Sequence, residues 1–475
     1  MTLSELLALL DGCPLVASVQ AAENSPVDHP ETLGRLASAS AQQGVRLLRL
    51  QGAANILAAK DATGLPAIGL VKRDYPGSDV YITPTSKEVQ DVLGAGAEVV
   101  ALDGTSRSRP GGEQLSDFIR QIHGAGQLVL ADIDTVESAK FAVSAGADIL
   151  STTLGGYTDA RSTTEGPDLE LLRDVVALGD VPVLAEGRFE LPWQVDTAIR
   201  IGASGVVIGG SLNDPEKNTR RFMPSPKATG TVGAVDIGGT WLRFGIFTSE
   251  WDLVEVYRIP LPKTGAERID WIRAQIEGSQ VERVGIGTAG IIDPRTGRVW
   301  TAKEHLIPNH VGCEFNSASL GIPAYPHGDG HATAWGHACL PQFAGLRVAT
   351  LALGTGVGCG FVADGWIWSG RKGEYPRIND LPAPGGSTNE GLLGGLYLTR
   401  EPSQHQQASA VLALEGAIAA LRGLYFPDVI VVAGSVGMSD WLAPHVDRLG
   451  ATRSPFAHEA GLFGAAALAL FPRYM

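Results

Sequence analysis

The chain has 475 residues, 44 % of them hydrophobic and 19 % charged, and this length exceeds what one hydrophobic core usually organises, so two domains are expected. Its formal net charge of -14 argues against a nucleic-acid or anionic-membrane partner, and no apolar stretch is expected to be long enough to cross a bilayer. The four cysteines form no CxxC pair, which is typical of reduced thiols and predicts a cytoplasmic protein: Cys13, Cys313, Cys339 and Cys359.

Eight short apolar runs recur in the N-terminal half and alternate with amphipathic stretches such as ETLGRLASASAQ, SKEVQDVLGAG and PDLELLRDVVAL. In chain order the runs are LVASVQ, VRLLRLQG, AIGLVKRD, EVVALDG, QLVLADID, ADILSTT, VPVLAEGR and GVVIGGS. This alternation of strand and helix spacing predicts a (β/α)8 TIM barrel. The N-terminal MTLSELLALLDG lacks a basic leader and is predicted as a helix that closes the bottom of the barrel.

Nearly every run carries a polar residue to its C-terminal end, where catalytic groups of such barrels lie. Lys72 follows an apolar strand, where desolvation lowers a lysine pKa and makes the amine a usable base for a carbon acid. Asp132 and Glu186 could hold sugar hydroxyls, polarise a carbonyl or relay a proton. The eighth run offers backbone N–H groups to a phosphate. The further candidates for substrate binding are Gln20, Arg49, Arg188, Gly209, Gly210 and Ser211.

A structural role is the alternative for each of these positions. A lysine or carboxylate at a barrel rim is often a salt-bridge partner, and Gly209 and Gly210 could be packing glycines of the last turn. Six polar residues on one rim favour the functional interpretation, which is a phosphorylated substrate with an acidic C–H bond.

Four strings, VKRD at 71 to 74, ALDGTSRSRP at 101 to 110, STTLGGYT at 151 to 158 and AEGR at 185 to 188, resemble the N-acetylmannosamine-6-phosphate 2-epimerase family of bacterial sialic acid catabolism. The resemblance implies that the proton at C2 is removed and returned, without metal or redox cofactor. It makes Lys72 the catalytic lysine and Glu186 the second catalytic carboxylate. It also implies that Asp132, Arg49 and Gln20 hold the sugar and support the reaction, whereas Gln51 stands where relatives often carry Glu.

The segment RRFMPSPKATG, with two prolines, predicts a boundary between the domains. We expect a barrel domain over 1–222, a linker over 223–230 and a second domain over 231–475. The second domain opens with DIGGT at 236 to 240, in which glycines let backbone N–H groups approach a phosphate and Asp236 can position Mg²⁺.

An ordered series of strings follows: GIGTAG at 285, HGDGHATAWG at 327, LGTGVGCGF at 353 and AGSVG at 433. This order resembles the ROK sugar kinases, which have the two-lobed actin-like ATPase fold. The resemblance implies an ATP- and Mg²⁺-dependent kinase with Asp329 as the base for the sugar hydroxyl. It places Gly238, Gly239 and Thr240 in the first phosphate loop, Gly354, Thr355 and Gly356 in the second, and Gly434 and Ser435 beside the adenosine. In the alternative, Asp329 is a turn carboxylate in a glycine-rich loop.

The chain departs from the ROK pattern at two places. A cysteine-free GEYPRINDLPAPGGSTNEG replaces the usual zinc segment, so no structural zinc site is expected, and Glu374 and Glu390 are predicted to replace the glutamates that bind sugar hydroxyls. Gly328 stands where Asn usually precedes the catalytic aspartate. A metal site at His327, His331 and His337 is not expected, because Gly328 and Gly330 should break a helix that would align the first two.

The predicted function is therefore a fused enzyme that phosphorylates N-acetylmannosamine with ATP and then epimerises the product. Its partners should be amino sugars and sugar phosphates, and a homo-oligomer is expected. The alternative is an epimerase attached to a non-catalytic sugar-binding or regulatory module.

Overall fold

The structure is a computed structural model that describes residues 1–22, 24–223, 228–398 and 401–472. The chain divides into two compact units, Met1–Met223 and Pro224–Met475, and each is described by itself. Residues 224–227 of the predicted linker lie outside the described residues.

Eight parallel strands close the first unit into a barrel in which β1 pairs with both β2 and β8. This confirms the predicted TIM barrel. The strands are β1 Leu15–Val19, β2 Leu47–Gln51, β3 Ala67–Leu70, β4 Val99–Asp103, β5 Leu128–Asp132, β6 Ile149–Ser151, β7 Val183–Glu186 and β8 Gly205–Ile208.

The helices of this unit lie between the strands and at both ends of the barrel sequence. They are α1 Leu3–Gly12, α2 Pro30–Gln42, α3 Ala53–Thr63, α4 Ser86–Gly94, α5 Leu115–Gly124, α6 Val136–Ala145, α7 Leu169–Val176, α8 Pro192–Ile201, α9 Gly210–Asn213 and α10 Pro215–Phe222. The α1 helix begins with a capping box in which Thr2 and Glu5 satisfy each other's backbone N–H groups. Its Leu6 and Leu10 are buried in the cluster that fills the barrel interior, so this helix covers one end of the barrel as expected.

The second unit contains two five-stranded sheets, ordered β11-β10-β9-β12-β15 and β18-β17-β16-β21-β22, together with two small hairpins. Such a pair of sheets is the framework of the actin-like fold that the sequence predicted. The strands are β9 Val232–Ile237, β10 Trp241–Phe247, β11 Leu253–Pro260, β12 Val284–Thr288, β13 Ile291–Ile292, β14 Val299–Thr301, β15 Ala324–Gly328, β16 Val348–Leu353, β17 Val357–Ala363, β18 Trp366–Ile367, β19 Pro382–Ala383, β20 Ser387–Thr388, β21 Val429–Ala433 and β22 Thr452–Arg453.

The helices of the second unit are α11 Gly265–Ser279, α12 Ser317–Leu320, α13 Asp329–Ala338, α14 Asn389–Leu393, α15 Gln404–Tyr425, α16 Gly434–Gly437, α17 Ala443–Arg448 and α18 Ala460–Leu470. The α13 helix packs against α18 and against strands of both five-stranded sheets, namely β12, β15, β16 and β17.

The predicted break at Gly328 and Gly330 is wrong in part, because α13 begins at Asp329 and contains Gly330. The helix crosses β17 in backbone contact. A Cβ atom on Gly330 would lie 2.2 Å from the Cys359 carbonyl oxygen, and one on Gly360 would lie 2.0 Å from the Gly330 carbonyl oxygen. These glycines therefore serve close packing of a helix on a strand rather than helix termination.

The expectation that no stretch could cross a membrane also needs correction. The α15 helix has 22 residues and a mean hydropathy of 1.3 in its most apolar window, which is enough by length and composition alone. One face of it, which includes Leu414, Ile418 and Leu421, packs into the core beside β16, β17 and β21. This packing is typical of a core helix, and core helices can also be long and apolar enough to meet the criterion for a membrane-spanning helix.

Candidate active sites

Charged side chains from the ends of β2, β5 and β7 meet in the mouth of the barrel. Arg49 Nη2 lies 2.7 Å from Asp132 Oδ2, and Arg49 Nη1 lies 3.3 Å from Glu186 Oε2. Arg49 is 1 % exposed and Asp132 is fully buried. One guanidinium therefore bridges two carboxylates that would otherwise repel each other.

Lys72 lies two residues beyond β3, on a short irregular pairing of residues 71–73 with 81–83. Its side chain is open to solvent at the mouth while protein atoms surround it on the other sides. Desolvation is the main cause that lowers the pKa of Lys72, and the charge of Arg49 lowers it further, against the opposing effects of Glu186 and Asp132. A lowered pKa raises the fraction of neutral amine, the form that can take a proton.

Glu186 ends β7 and faces the same group of charges. Burial is the main cause that raises its pKa, and the negative charge of Asp132 raises it as well. Arg49, Thr153 and Lys72 favour the ionised form but do not outweigh burial. The barrel mouth thus contains one amine with a lowered pKa and one carboxyl with a raised pKa, which is the electrostatic pattern of an acid and base pair.

Gln20 follows β1, and Arg188 lies two residues beyond Glu186 at the end of β7. Gln20 donates from Nε2 to Ser18 Oγ over 2.9 Å, while its buried Oε1 has no hydrogen-bond partner among the described residues. Arg188 has a left-handed backbone φ of 57°, donates from Nε to the Gly166 carbonyl oxygen over 2.9 Å and lies 5.0 Å from the Tyr157 ring centroid. The left-handed backbone of Arg188 is a strained conformation of the kind found at functional sites. The Gln20 Oε1 atom is available to accept a hydrogen bond from a substrate hydroxyl.

The eighth strand leads into Gly209, which precedes the short α9. A Cβ on Gly209 would touch Ser18, and one on Gly210 would lie 3.0 Å from Lys217 Cδ. The Ser211 hydroxyl donates to the Phe189 carbonyl oxygen over 2.7 Å, so its proton is engaged within the protein. The structure therefore adds Lys217 as a cation beside the predicted phosphate loop.

Sequence reasoning missed several residues of the barrel site. Thr153 contacts both Asp132 and Glu186, and Ser151 lies 2.8 Å from Thr153 through their hydroxyl oxygens. Tyr81 is close to Asp132 and Asp103, and its burial, followed by these charges, raises the pKa of its phenol. The strings STTLGGYT and VYITP contain them, but nothing in the spacing indicates which hydroxyl points inward.

In the second unit, Asp329 begins α13 directly after β15. Its Oδ1 accepts a hydrogen bond from the Gly330 backbone N–H over 2.7 Å. Burial is the main cause that raises the pKa of Asp329 to about 7, and the charges of Asp236 and Glu390 contribute in the same direction. A carboxyl with this pKa changes protonation state near neutral pH and can act as a general base there.

The two predicted phosphate loops lie against each other. Thr240 stands between β9 and β10, Thr355 stands between β16 and β17, and their hydroxyl oxygens are 3.1 Å apart. The Gly354 backbone N–H donates to the Gly356 carbonyl oxygen over 2.9 Å, which closes a tight turn. A Cβ on Gly239 would lie 3.7 Å from Thr355 Cγ2, whereas one on Gly354 would meet open space.

The two predicted sugar-binding glutamates have different surroundings. Glu390 accepts hydrogen bonds from Lys303 and from Asn379 Nδ2, and it lies beside Gly356 and near Asp329. Glu374 Oε2 instead accepts a hydrogen bond over 2.8 Å from the Lys372 backbone N–H, which closes its own loop. The structure thus brings Glu390, but not the Glu374 carboxylate, toward Asp329.

Tyr375, next to Glu374, was not predicted. Burial is the main cause that raises its pKa to about 12, and the negative charge of Asp329 adds to that shift. Its neutral phenol therefore lies near the carboxylate of Asp329. No spacing signal in the altered segment distinguishes this tyrosine from its neighbours.

The remaining nucleotide candidates occupy turns at strand ends. Gly434 has a φ of 84°, and a Cβ there would lie 2.5 Å from the Leu353 carbonyl oxygen, so this position requires glycine. Ser435 follows within the short α16. Asp236 accepts both hydrogen bonds from Arg243 on Oδ2, which leaves Oδ1 as the oxygen that could face a metal-bound water.

Gly328 and the histidines His327 and His331 flank Asp329 in the sequence. A Cβ on Gly328 would lie 3.7 Å from His331 Nδ1, and the rings of His327 and His331 are 6.0 Å apart. Burial is the main cause that lowers their pKa values, to about 3 for His327 and about 4 for His331, so both are neutral at pH 7. Among the described residues, no group of three or more His, Cys, Asp or Glu is arranged to hold a metal ion.

Comparisons with known proteins agree with the division of the chain into a barrel unit and a second unit. Residues 33–228 match the NanE family, described as "Putative N-acetylmannosamine-6-phosphate epimerase", and residues 232–381 match the ROK family. The bifunctional enzyme NanE/NanK of Brucella melitensis biotype 1 is 32 % identical over 464 residues, which cover 90 % of this chain and 88 % of that relative.

Two solved structures each match one part of the chain. The N-acetylmannosamine-6-phosphate 2-epimerase of Clostridium perfringens is 39 % identical, with a TM-score of 0.45, over 46 % of this chain and 94 % of that chain. A ROK hexokinase from Thermus thermophilus is 23 % identical, with a TM-score of 0.41, over 50 % of this chain and 97 % of that chain. The match to the Brucella enzyme extends through both units, so the chain belongs to the bifunctional NanE/NanK family, with an N-terminal epimerase domain and a C-terminal ROK sugar kinase domain.

Proposed function

We propose that the C-terminal domain phosphorylates N-acetylmannosamine with ATP and that the N-terminal domain converts the resulting 6-phosphate into N-acetylglucosamine 6-phosphate. The observation that carries this proposal is the presence of a separate base in each unit. Lys72 stands beside Arg49 and Glu186 in the barrel, and Asp329 stands near the paired phosphate loops of the second unit.

In the epimerase step, the open-chain sugar presents an aldehyde beside C2, which acidifies the C2 proton. The neutral amine of Lys72 takes that proton, and its lowered pKa raises the fraction of amine in this form. Arg49 stabilises the charge that develops on the sugar oxygens. Gln20 Oε1 accepts a hydrogen bond from a sugar hydroxyl, and Gly209, Gly210, Arg188 and Lys217 hold the phosphate.

In the kinase step, Asp329 takes the proton from the 6-hydroxyl as the phosphoryl group is transferred. Glu390 binds a second sugar hydroxyl, and Tyr375 orients the sugar beside Asp329. Glu374 supports this site by holding its own loop. Gly328 lacks the side chain with which the family asparagine would reach the sugar, and a Cβ there would lie 3.5 Å from the Gly290 carbonyl oxygen and 3.7 Å from His331 Nδ1.

The glycines of the two loops fit a nucleotide. Gly238, Gly239 and Thr240 would cradle one phosphate, and Gly354, Thr355 and Gly356 would cradle the next, because the Thr240 and Thr355 hydroxyl oxygens bring the two loops to within 3.1 Å of each other. Gly434 and Ser435 would border the adenosine. Asp236 Oδ1 would hold Mg²⁺ through a water, and that ion would neutralise the phosphate charge during transfer. The barrel site needs neither a metal nor a redox cofactor for a proton transfer.

The further expectations stand as parts of this proposal: a cytoplasmic homo-oligomer that acts on amino sugars and sugar phosphates. The alternative is an epimerase joined to a sugar-binding module without kinase activity. Asp329 favours the kinase, because a buried carboxyl with a pKa raised to about 7 suits a general base, which a module that only binds sugar does not need.

Two variants of the full chain test the proposal. Lys72→Met should abolish exchange of the C2 proton with D₂O, and Asp329→Asn should reduce sugar-dependent ADP release by about 10²-fold or more, the usual scale for a lost general base. Nucleotide affinity should change little in Asp329→Asn. If exchange of the C2 proton persists in Lys72→Met, the assignment of Lys72 as the epimerase base is wrong. If the wild-type protein releases no ADP with any hexose, the kinase assignment is wrong and the sugar-binding module is the interpretation that remains.

A further inference from the structure

The loop that follows β14 reaches both phosphate loops of the second unit. A Cβ on Gly239, in the first loop, would lie 3.4 Å from the Leu306 carbonyl oxygen, and one on Gly356, in the second, would lie 3.8 Å from Leu306 Cδ1. The backbone N–H groups of Leu306 and Ile307 both donate to the Lys303 carbonyl oxygen over 2.9 Å. This turn therefore holds the backbone of Lys303 close to the place where the two loops meet.

The ammonium group of Lys303 pairs with two carboxylates of the altered segment. It donates a hydrogen bond to Glu390 Oε2, and its Nζ lies 3.5 Å from Asp380 Oδ1. A second donor to Glu390 Oε2 is Asn379 Nδ2, over 3.1 Å. Because an amide has no net charge, Asn379 can orient the Glu390 carboxylate but cannot balance its charge, whereas Lys303 does both.

The other oxygen of Glu390 faces the second phosphate loop. A Cβ on Gly356 would lie 2.8 Å from Glu390 Oε1, so this carboxylate lies against the backbone of that loop. The Glu390 side chain is 18 % exposed, and such partly buried surroundings screen charge poorly. The charge of Glu390 also reaches Asp329, whose pKa it helps to raise. An anion in the second loop would therefore meet the field of this carboxylate.

The negative charges near the two loops have different cations. Asp236 pairs with Arg243, which also pairs with Glu459. Glu390 pairs with Lys303. Nucleotide phosphates carry several negative charges, so a carboxylate beside their loop opposes binding unless a cation balances it. For Glu390, the ammonium of Lys303 is the group in contact that can supply this balance.

We propose that Lys303 is a positioning residue of the kinase site, which neutralises Glu390 so that nucleotide phosphates can bind beside this carboxylate. This inference rests on the proposed kinase function and extends it from the sugar to the nucleotide. The sugar needs Glu390 as a hydrogen-bond acceptor, and the phosphates need its charge to be balanced. Lys303 satisfies both requirements, because it holds Oε2 and leaves Oε1 free to accept.

Lys303→Met tests this role because it keeps a long side chain and removes the charge. The ligand is a non-hydrolysable ATP analogue with Mg²⁺, added to the full chain without sugar, so that sugar binding by Glu390 does not enter the result. We expect the Kd to rise roughly tenfold, the scale of one uncompensated charge at this range. Lys303→Arg retains the charge and should bind the analogue as the wild type does. Isothermal titration calorimetry measures both values.

Glu390→Gln separates the charge of this pair from its contribution to the fold. Glutamine keeps the side-chain shape and an oxygen that accepts from Asn379, but it removes the negative charge. Lys303→Met combined with Glu390→Gln should therefore regain the wild-type affinity. Glu390→Gln alone leaves the Lys303 charge unopposed and should bind the analogue more tightly than the wild type.

A purely structural role of the Lys303–Glu390 contact predicts the opposite pattern. Each single variant would then weaken nucleotide binding, and the double variant would regain nothing. A double variant that binds as weakly as Lys303→Met, or a Glu390→Gln variant that binds more weakly than the wild type, would overturn the proposal. The second of these outcomes tests it even if Lys303→Met does not fold.

Arg377→Met is the matched control. The Arg377 side chain is 57 % exposed and pairs with Asp380, the other carboxylate that Lys303 contacts. This variant changes the net charge of the segment by the same amount and leaves the Lys303–Glu390 pair in place, so the Kd should not change. An equal rise of the Kd in Arg377→Met would contradict a specific role for Lys303.

The same titrations distinguish this inference from the kinase function on which it rests. If the wild-type protein binds no analogue, the kinase function is wrong and the inference is wrong with it. If the wild type binds the analogue and Lys303→Met binds it equally well, the inference alone is wrong.

Discussion

Arg49 places one positive charge between Asp132 and Glu186 inside the barrel. Replacing Arg49 should therefore lower the free energy of unfolding, because the two buried carboxyl groups lose their cation. Arg49→Met leaves Asp132 and Glu186 without their cation in a site that excludes most water. Breaking a buried ion pair in this way costs about 3 kcal/mol of unfolding free energy. Without Arg49, burial raises the pKa of Glu186 further, so the loss should be large at pH 7.5 and smaller at pH 5. Urea unfolding at the two pH values measures the difference.

Arg35→Met provides the comparison for that variant. Arg35 and Glu31 form an i,i+4 pair on α2 whose side chains are 80 % and 68 % exposed. Such a surface pair contributes about 0.5 kcal/mol or less, so Arg35→Met should unfold like the wild type at both pH values. If Arg49→Met were equally harmless at pH 7.5, the buried charge cluster would not have the electrostatic role described above.

Asp329 gives the kinase activity a predictable dependence on pH. Its pKa is raised to about 7, chiefly by burial, and the base must be ionised to take a proton. The value of kcat/KM for sugar phosphorylation should therefore fall about tenfold for each unit below pH 7 and level off above it. An initial-rate profile between pH 5.5 and 8.5 tests this. A plateau that extends below pH 5.5 would mean that Asp329 is not the titrating base.

The residues that sequence reasoning located are those at the ends of strands. Lys72 and Glu186 follow apolar runs, and the topology of a parallel barrel then brings them to one rim without any knowledge of side-chain contacts. Thr153 and Tyr81 could not be found in this way, because their roles depend on the path of loops that cross the rim. Lys217 was missed for a similar reason, since it reaches the eighth strand from α10.

Among the elements, α13 links the catalytic aspartate to the sheet that contains β16 and β17. Gly330 lies one residue after Asp329 and touches β17 at Cys359. Gly330→Ala would force the Cβ to within 2.2 Å of a backbone oxygen, so the helix start or the strand has to move. We expect a loss of about 2 kcal/mol in stability and at least a tenfold fall in phosphorylation, measured by thermal unfolding and ADP release. C2-proton exchange in the barrel should keep its wild-type rate.

Gly416→Ala is the control for the helix effect itself. Gly416 is an exposed position of α15, and a Cβ there would meet no atom within 4 Å. Because alanine has the higher helix propensity, this variant should gain up to about 1 kcal/mol and keep its activity. A Gly330→Ala variant that behaved in the same way would show that the close helix–strand contact is unimportant.

At the scale of elements, the hydrophobic periodicity of the sequence was sufficient to predict the strands of the barrel. It was not sufficient to predict the contacts of the altered ROK segment. The eight apolar runs gave the eight strands, because each strand is buried on both sides and reads as a continuous hydrophobic run. The segment from Gly373 to Leu393 has short strands and turns whose contacts are long-range. Sequence spacing could not distinguish Glu390, which lies near Asp329, from Glu374, which closes its own loop.

The whole molecule joins two units whose proposed reactions are consecutive, and each unit carries the proposed base of its own reaction. Lys72→Met removes the epimerase base and leaves the kinase residues unchanged, while Asp329→Asn does the reverse. With N-acetylmannosamine and ATP, Lys72→Met should accumulate the 6-phosphate of the starting sugar. Asp329→Asn should form product from the free sugar more slowly by about 10²-fold or more, yet it should epimerise added N-acetylmannosamine 6-phosphate.

A mixture of these two variants tests whether the intermediate passes through solution. Because each variant retains one complete set of reacting groups, the equimolar mixture should convert N-acetylmannosamine into N-acetylglucosamine 6-phosphate. A lag should precede the final product, since the intermediate must first leave one protein molecule and accumulate before another binds it. The lag should shorten when more Asp329→Asn protein is added, as followed by NMR of the two sugar phosphates. Wild-type protein that forms the final product with no lag, while the mixture shows one, would mean that the intermediate is handed over within one molecule.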